Sequence, residues 1–156
     1  MKIFIASDHA GFELKKVLID YLKSKGLEVE DMGAYEYDPD DDYPDFIIPC
    51  AQKVAADQSA RGIVIGGSGQ GEALAANKVR GIRAALYYGP SAGSGLEIVR
   101  LSREHNDTNI LSLSGRFLSV EEAKEAVDLW LATKFDQTSR HQRRHDLIKR
   151  FEEQNG

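Results

Sequence analysis

The pattern of apolar positions changes period again and again along the chain. Ile3-Phe4-Ile5 is a short continuous apolar run, as expected of a strand covered on both faces. Leu14, Val17, Leu18, Tyr21 and Leu22 then recur at three- and four-residue steps, one face of a helix that stops at Gly26. Residues 27–32 alternate as a second strand, and 33–44 is a loop. A helix is predicted over 45–58, carrying Phe46, Ile47, Ala51, Val54 and Ala55. Ile63-Val64-Ile65 is a third apolar run. It leads into Gly66-Gly67-Ser68-Gly69-Gln70-Gly71 and then a strong helix former, Glu72 to Lys78. Strands over 82–88 and 109–113 flank a helix over 95–105. A helix over 120–131 carries Ser119 as N-cap and Glu122 as its box partner. A last, basic helix covers about 140–153. Strands alternating with helices at this spacing predict βαβ crossovers. The expected fold is a three-layer αβα sandwich on a mostly parallel, five-stranded, Rossmann-like sheet, in one domain over 1–156.

A length of 156 residues favours a single core. The single cysteine, Cys50, permits no internal disulfide and fits a reducing compartment. The first apolar run is too short for a secretory or membrane segment, so a cytoplasmic protein is expected, with no membrane partner. A net charge of −5 argues against nucleic-acid binding by the whole surface. Charge is unevenly spread, however. Residues 140–150 hold five Arg or Lys against Asp146, a net of +4, which leaves the remainder at −9.

In open parallel sheets ligands bind at the carboxyl ends of strands, which directs attention to the glycine-rich turn, to Asp8-His9 and to whatever follows the later strands. The first is the glycine-rich turn, where Gly67, Gly69, Gln70 and Gly71 offer backbone N–H groups to an anion. It matches neither the dinucleotide fingerprint nor a P-loop, and a tight strand-to-helix connection is the plainer alternative. Glu72, directly after it, is either a dipole partner or a general base, and Ser68 is either a turn residue or a hydrogen-bond donor. The second is Asp8-His9, contacting a polar substrate or capping a helix. Separately, His105-Asn106 lies between a helix and a strand, as a solvated helix end or a site edge. Arg140 and Arg144 share a helical face, as a phosphate fork or as part of a solvated basic helix. His141 and His145 have a spacing that metal sites use, without a second matched pair of ligands, so no metal is assigned. Asp38 to Asp42 lacks the order of ligands of a calcium loop and reads as a solvated turn.

Taken together, Ser7-Asp8-His9-Ala10-Gly11-Phe12, Asp42-Tyr43-Pro44, Gly66 to Lys78, Gly81-Ile82-Arg83-Ala84, Ser102 to Asn109, Gly115-Arg116 and Arg140-His141-Gln142-x-Arg144 resemble the ribose-5-phosphate isomerase B family, within the wider group that includes galactose-6-phosphate isomerase. The resemblance covers nearly the whole chain. It implies interconversion of ribose 5-phosphate and ribulose 5-phosphate through a cis-enediolate, without metal or cofactor. Many members place a cysteine directly before the Gly-Thr/Ser-Gly. Here Gly66 stands there, and Glu72 matches the glutamate that a subset uses instead. By the same resemblance Ser68 bonds the reacting oxygens, and His105 with Asp8 opens the sugar ring. His9, Arg116, Arg140 and Arg144 hold phosphate, while Tyr43 and Asn106 position the sugar. The family's sites lie between two subunits, which implies a homodimer or a dimer of dimers. Residues 87–99 run several residues longer than the common pattern, leaving pentose and hexose substrates both open. A non-catalytic sugar-phosphate module is the alternative of a different class. RNA binding through the last helix is opposed by the shortness of that patch and its want of aromatics.

Overall fold

A computed structural model describes residues 1–90 and 95–155. The strands are β1 (Lys2–Ser7), β2 (Glu28–Asp31), β3 (Arg61–Gly66), β4 (Ala84–Tyr87) and β5 (Ile110–Ser114). The helices are α1 (Phe12–Ser24), α2 (Pro44–Ala56), α3 (Gln70–Ala76), α4 (Glu97–Glu104), α5 (Val120–Ala132) and α6 (Ser139–Asn155). A single 3-10 turn, His9–Gly11, joins β1 to α1. All pairings are parallel, in the order β2-β1-β3-β5-β4. The expected elements are present, with boundaries moved by a few residues. The long 87–99 segment includes residues 91–94, which lie outside those described.

Strand periodicity builds the three layers. Ile3, Ile5, Ile63, Ile65, Leu111 and Leu113 point to one face, where they pack with Leu14, Leu18 and Leu22 of α1, Val99 of α4, and Ala123, Val127 and Trp130 of α5. Phe4, Ala6, Val64 and Ile110 point to the other, against Ile47, Cys50, Ala51 and Val54 of α2 and Ala75 and Ala76 of α3. Trp130 is wholly buried and donates its indole N–H to Thr108 Oγ1 at 2.9 Å, which removes the penalty of burying that donor. The predicted capping box closes α5: Glu122 N–H donates to Ser119 Oγ, and Ser119 N–H donates to Glu122 Oε2 at 2.7 Å.

The chain leaves β1 toward β2 on one side and returns to β3 on the other. Strand order therefore reverses between β1 and β3, and a crevice opens outside their carboxyl ends. No described helix is long and apolar enough to cross a membrane.

Candidate active site

Asp8 leaves β1 in an extended conformation and accepts N–H bonds from Ala10 at 2.9 Å and Gly11 at 3.2 Å. It is therefore a cap, as one of its two readings expected, and its buried carboxylate is thereby fixed at the mouth of the crevice. His9 follows. Its backbone N–H donates to Asp41 Oδ1 at 3.1 Å, and its Nδ1 lies 2.6 Å from the same oxygen. This corrects the reading of residues 38–42 as a solvated turn. Asp38, Asp40 and Asp42 are exposed, but the Asp41 carboxylate turns inward. The Asp41 hydrogen bond raises the His9 pKa above its ordinary value, Asp8 adding to the effect and Arg116 opposing it.

The glycine-rich turn follows β3. Gly69 has φ +80°, and a Cβ there would meet the Leu113 carbonyl oxygen at 2.9 Å, so the turn holds its shape only with glycine. Ser114 Oγ donates to the Gly67 carbonyl at 2.6 Å and Ser112 Oγ to that of Gly69 at 2.6 Å, pinning the turn to β5. Gln70 N–H is already engaged with Ser68 Oγ at 3.3 Å. Ser68 is thus a turn residue, though its own O–H proton remains free to donate. Arg116, just past β5, places its guanidinium about 3.5 Å from where a Cβ of Gly67 would stand. Tyr43, at the start of α2, lays its ring against Gly71.

Glu72 lies in the first turn of α3 and is 4% exposed. Its carboxyl group occupies the space beside Gly66, so that a Cβ on residue 66 would overlap it. Burial pushes its pKa above the ordinary carboxylate range. Its own N–H offsets part of that rise, and the charge of Asp8 adds to it. A buried carboxyl so perturbed, seated beside the glycine-rich turn, is a candidate for proton transfer.

The remaining expected residues stand elsewhere. His105 caps the carboxyl end of α4, before β5 begins, and so sits at the amino end of the sheet. Glu72 follows the carboxyl end of β3, so the two residues lie at opposite ends of the sheet. His105 stacks on His141 of α6, centroids 4.2 Å apart and planes 12° apart. Burial and the neighbouring His105, Arg140 and Arg144 lower the pKa of His141, which favours its neutral form in the stack. His145 packs instead against Phe135, centroids 4.8 Å apart, so the metal-like spacing of the two histidines serves packing. His105, Asn106 and Arg144 line a cleft of about 440 Å³. Each chain therefore carries two groups. Asp8, His9, Tyr43, Ser68, Glu72 and Arg116 lie at one end of the sheet, and His105, Asn106, Arg140 and Arg144 at the other.

Residues 3–148 match the family model described as Ribose/Galactose Isomerase. The chain belongs to that family. The ribose-5-phosphate isomerase B of Mycobacterium leprae is 44% identical over 97% of this chain and 90% of its own length. Among solved structures, ribose-5-phosphate isomerase B from Mycoplasma genitalium with bound ribulose 5-phosphate superposes with a TM-score of 0.90 at 42% identity, covering 97% and 96% of the two chains. That from Clostridium thermocellum superposes with a TM-score of 0.91 at 42% identity over the whole of both. Asp41 was hidden in an acidic run, and His141, noted in the sequence for its spacing from His145, is the stacking partner of His105.

Proposed function

We propose that this family member interconverts ribose 5-phosphate and ribulose 5-phosphate as an aldose–ketose isomerase with Glu72 as its base. The observation that carries the reading is the Glu72 carboxyl itself, buried, raised in pKa and seated beside Gly66 where the glycine turn offers its donors. Glu72 takes the proton from C2 of the open-chain aldose. Charge moves onto O1, where amides of Gly67, Gly69 and Gly71 and the Ser68 hydroxyl stabilise the enediolate, commonly worth about 3–4 kcal/mol per donor, the Gln70 amide being taken by Ser68. The carboxylic acid returns the proton to C1, O1 gains the proton that O2 gives up, and the carbonyl is left at C2. The shuttle is redox-neutral and closes on Glu72, so it needs no cofactor.

His105, which with Asp8 opens the sugar ring in this scheme, comes from a second copy, as do Asn106, Arg140 and Arg144. Their clefts meet the Glu72 end of the partner in a homodimer or a dimer of dimers, within a reducing cytoplasm. Exposed apolar side chains support a covering copy: Leu74 on α3 is 61% exposed, and Phe151 on α6 is 66% exposed beside Leu147 and Ile148.

A coupled assay across five- and six-carbon sugar phosphates tests the substrate, and turnover of the five-carbon pair is expected to dominate. Complementation tests the shared site. Glu72→Gln and His105→Ala should each be inactive alone. Co-expressed in equal amounts, they should recover about a quarter of wild-type activity, because half the dimers are mixed and each mixed dimer holds one intact site. No recovery from folded mixed dimers would place both residues in one chain's site.

A further inference from the structure

Asp41 has no part in the scheme above, yet it is built in with care. Its carboxylate is 7% exposed in a loop whose other acids face water. One oxygen, Oδ1, takes both the N–H and the Nδ1 of His9, 32 residues away. The other, Oδ2, is buried and has no partner among the described residues. The loop carrying it is anchored where it leaves β2. The buried Lys15 Nζ donates to Asp31 Oδ1 at 2.6 Å and to the Ala34 carbonyl at 2.5 Å.

We infer that Asp41 is a positioning residue: it fixes the His9 ring and balances its charge, so that Nε2 donates to a phosphate group as an imidazolium N–H. The argument is one of tautomers. With Nδ1–H committed to Asp41, a neutral His9 carries a lone pair on Nε2, which repels an anion. Only the charged ring donates from both nitrogens. A buried carboxylate in turn requires a counter-charge, and the His9 ring it touches supplies one when protonated. The groups facing His9 are Asp8 from its own turn, Asp41 and the Tyr37 ring from the 33–43 loop, and Arg116 from beyond β5. The two carboxylates outweigh the one guanidinium.

The inference rests on the isomerase reading for the identity of the ligand, but its test does not need turnover. Asp41→Asn keeps an oxygen that accepts both His9 bonds and removes only the charge. The probes are the His9 ring resonance, assigned with His9→Gln, and inorganic phosphate titrated at pH 5.5 and pH 8. In the wild type His9 should titrate above the ordinary value of about 6.5, and in Asp41→Asn the midpoint should fall. Phosphate affinity of the variant relative to wild type should drop about tenfold at pH 8 and less than about threefold at pH 5.5. KM for ribose 5-phosphate should follow the same split with kcat little changed. An unchanged His9 midpoint, or equal losses at both pH values, overturns the role. Should the variant fail to fold, a wild-type midpoint at or below about 6.5 overturns it equally. A wild type that binds phosphate beside a high-titrating His9 but isomerises nothing would refute the isomerase reading and leave Asp41 in place.

Discussion

Gly66 and Glu72 compete for one volume, and a single methyl group tests what that volume is for. In Gly66→Ala the new Cβ overlaps the Glu72 carboxyl group. Gly66 is not among the glycines with positive φ, so its backbone accepts alanine without strain. The atoms that must give way are the far end of a side chain with three rotatable bonds. The stability loss should therefore stay near 1 kcal/mol, the low end for overpacking. The catalytic loss should be far larger. A base displaced by about 1 Å commonly loses about 10²-fold in rate, and this one must leave its seat altogether. The assay is turnover of ribose 5-phosphate with urea denaturation alongside, at one protein concentration because assembly contributes to stability. In a Glu72→Gln background the added Gly66→Ala change should cost little further turnover, since both act on one group. Gly11→Ala is the contrast. Its Cβ would meet the Ile65 carbonyl oxygen at 2.5 Å, a backbone atom that cannot rotate away, so stability should fall by about 2–3 kcal/mol. Turnover of Gly66→Ala within about threefold of wild type would show that the carboxyl need not sit where the structure has it, and would remove the main support for Glu72 as base.

Glu72→Gln should lose about 10²-fold or more in kcat, and the acid limb of the wild-type kcat profile should lie above the ordinary glutamate value of about 4.3. Because the folded-state pKa is raised, Glu72 favours the fold while protonated and opposes it once pH rises through that value; the Gln variant should therefore gain stability relative to wild type from acid to neutral pH, read by denaturation at several pH values. Arg144→Ala should weaken ribose 5-phosphate binding by about 1.5–3 kcal/mol while leaving unphosphorylated ribose nearly unaffected; equal losses would contradict a phosphate role. Cys50 is wholly buried, and burial pushes its thiol up to about 12, so iodoacetamide at pH 8 should leave turnover intact and Cys50→Ser should keep most of it, with mass spectrometry reporting the labelling.

The parts of the molecule legible in sequence were those encoded locally. Strand runs, helical periods and the Ser119–Glu122 box lie within a few residues of one another, and tertiary packing does not overrule them. The fate of Asp41 is of another kind. Four neighbouring acids, Asp38, Asp40, Asp42 and Asp45, are exposed. What turns the fifth inward is a histidine 32 positions earlier, and nothing in the local pattern distinguishes it. Lys15 is similar. It occupies the buried side of α1, next to Leu14, and its charge is matched by Asp31 only once β2 lies beside β1. His141 and His145 share a spacing that suits both metal binding and packing, and only their ring partners decide between the two. The division of the site into two ends was, by contrast, available from the order of elements. A residue that follows a strand sits at the carboxyl end of a parallel sheet, whereas His105, between a helix and the next strand, must sit at the opposite end.

That geometry constrains how the enzyme assembles. A contact joining the Glu72 end of one chain to the His105 end of another, repeated by a two-fold axis, is matched by its mirror in role: the first chain lends its own His105 to the second chain's Glu72. In the proposed dimer there would then be two sites, each built from both chains. The segment from Arg140 to Arg150 carries a net of +4, while the Glu72 end presents Asp8, Asp41 and Glu72 in or near the crevice. In the proposed dimer, phosphate would lie where the two meet, held by His9 and Arg116 from one side and by Arg140 and Arg144 from the other. The same ligand that the chemistry needs thus neutralises the cations that association brings together. In that proposed dimer substrate binding and subunit contact would be linked, each strengthening the other by the same free energy.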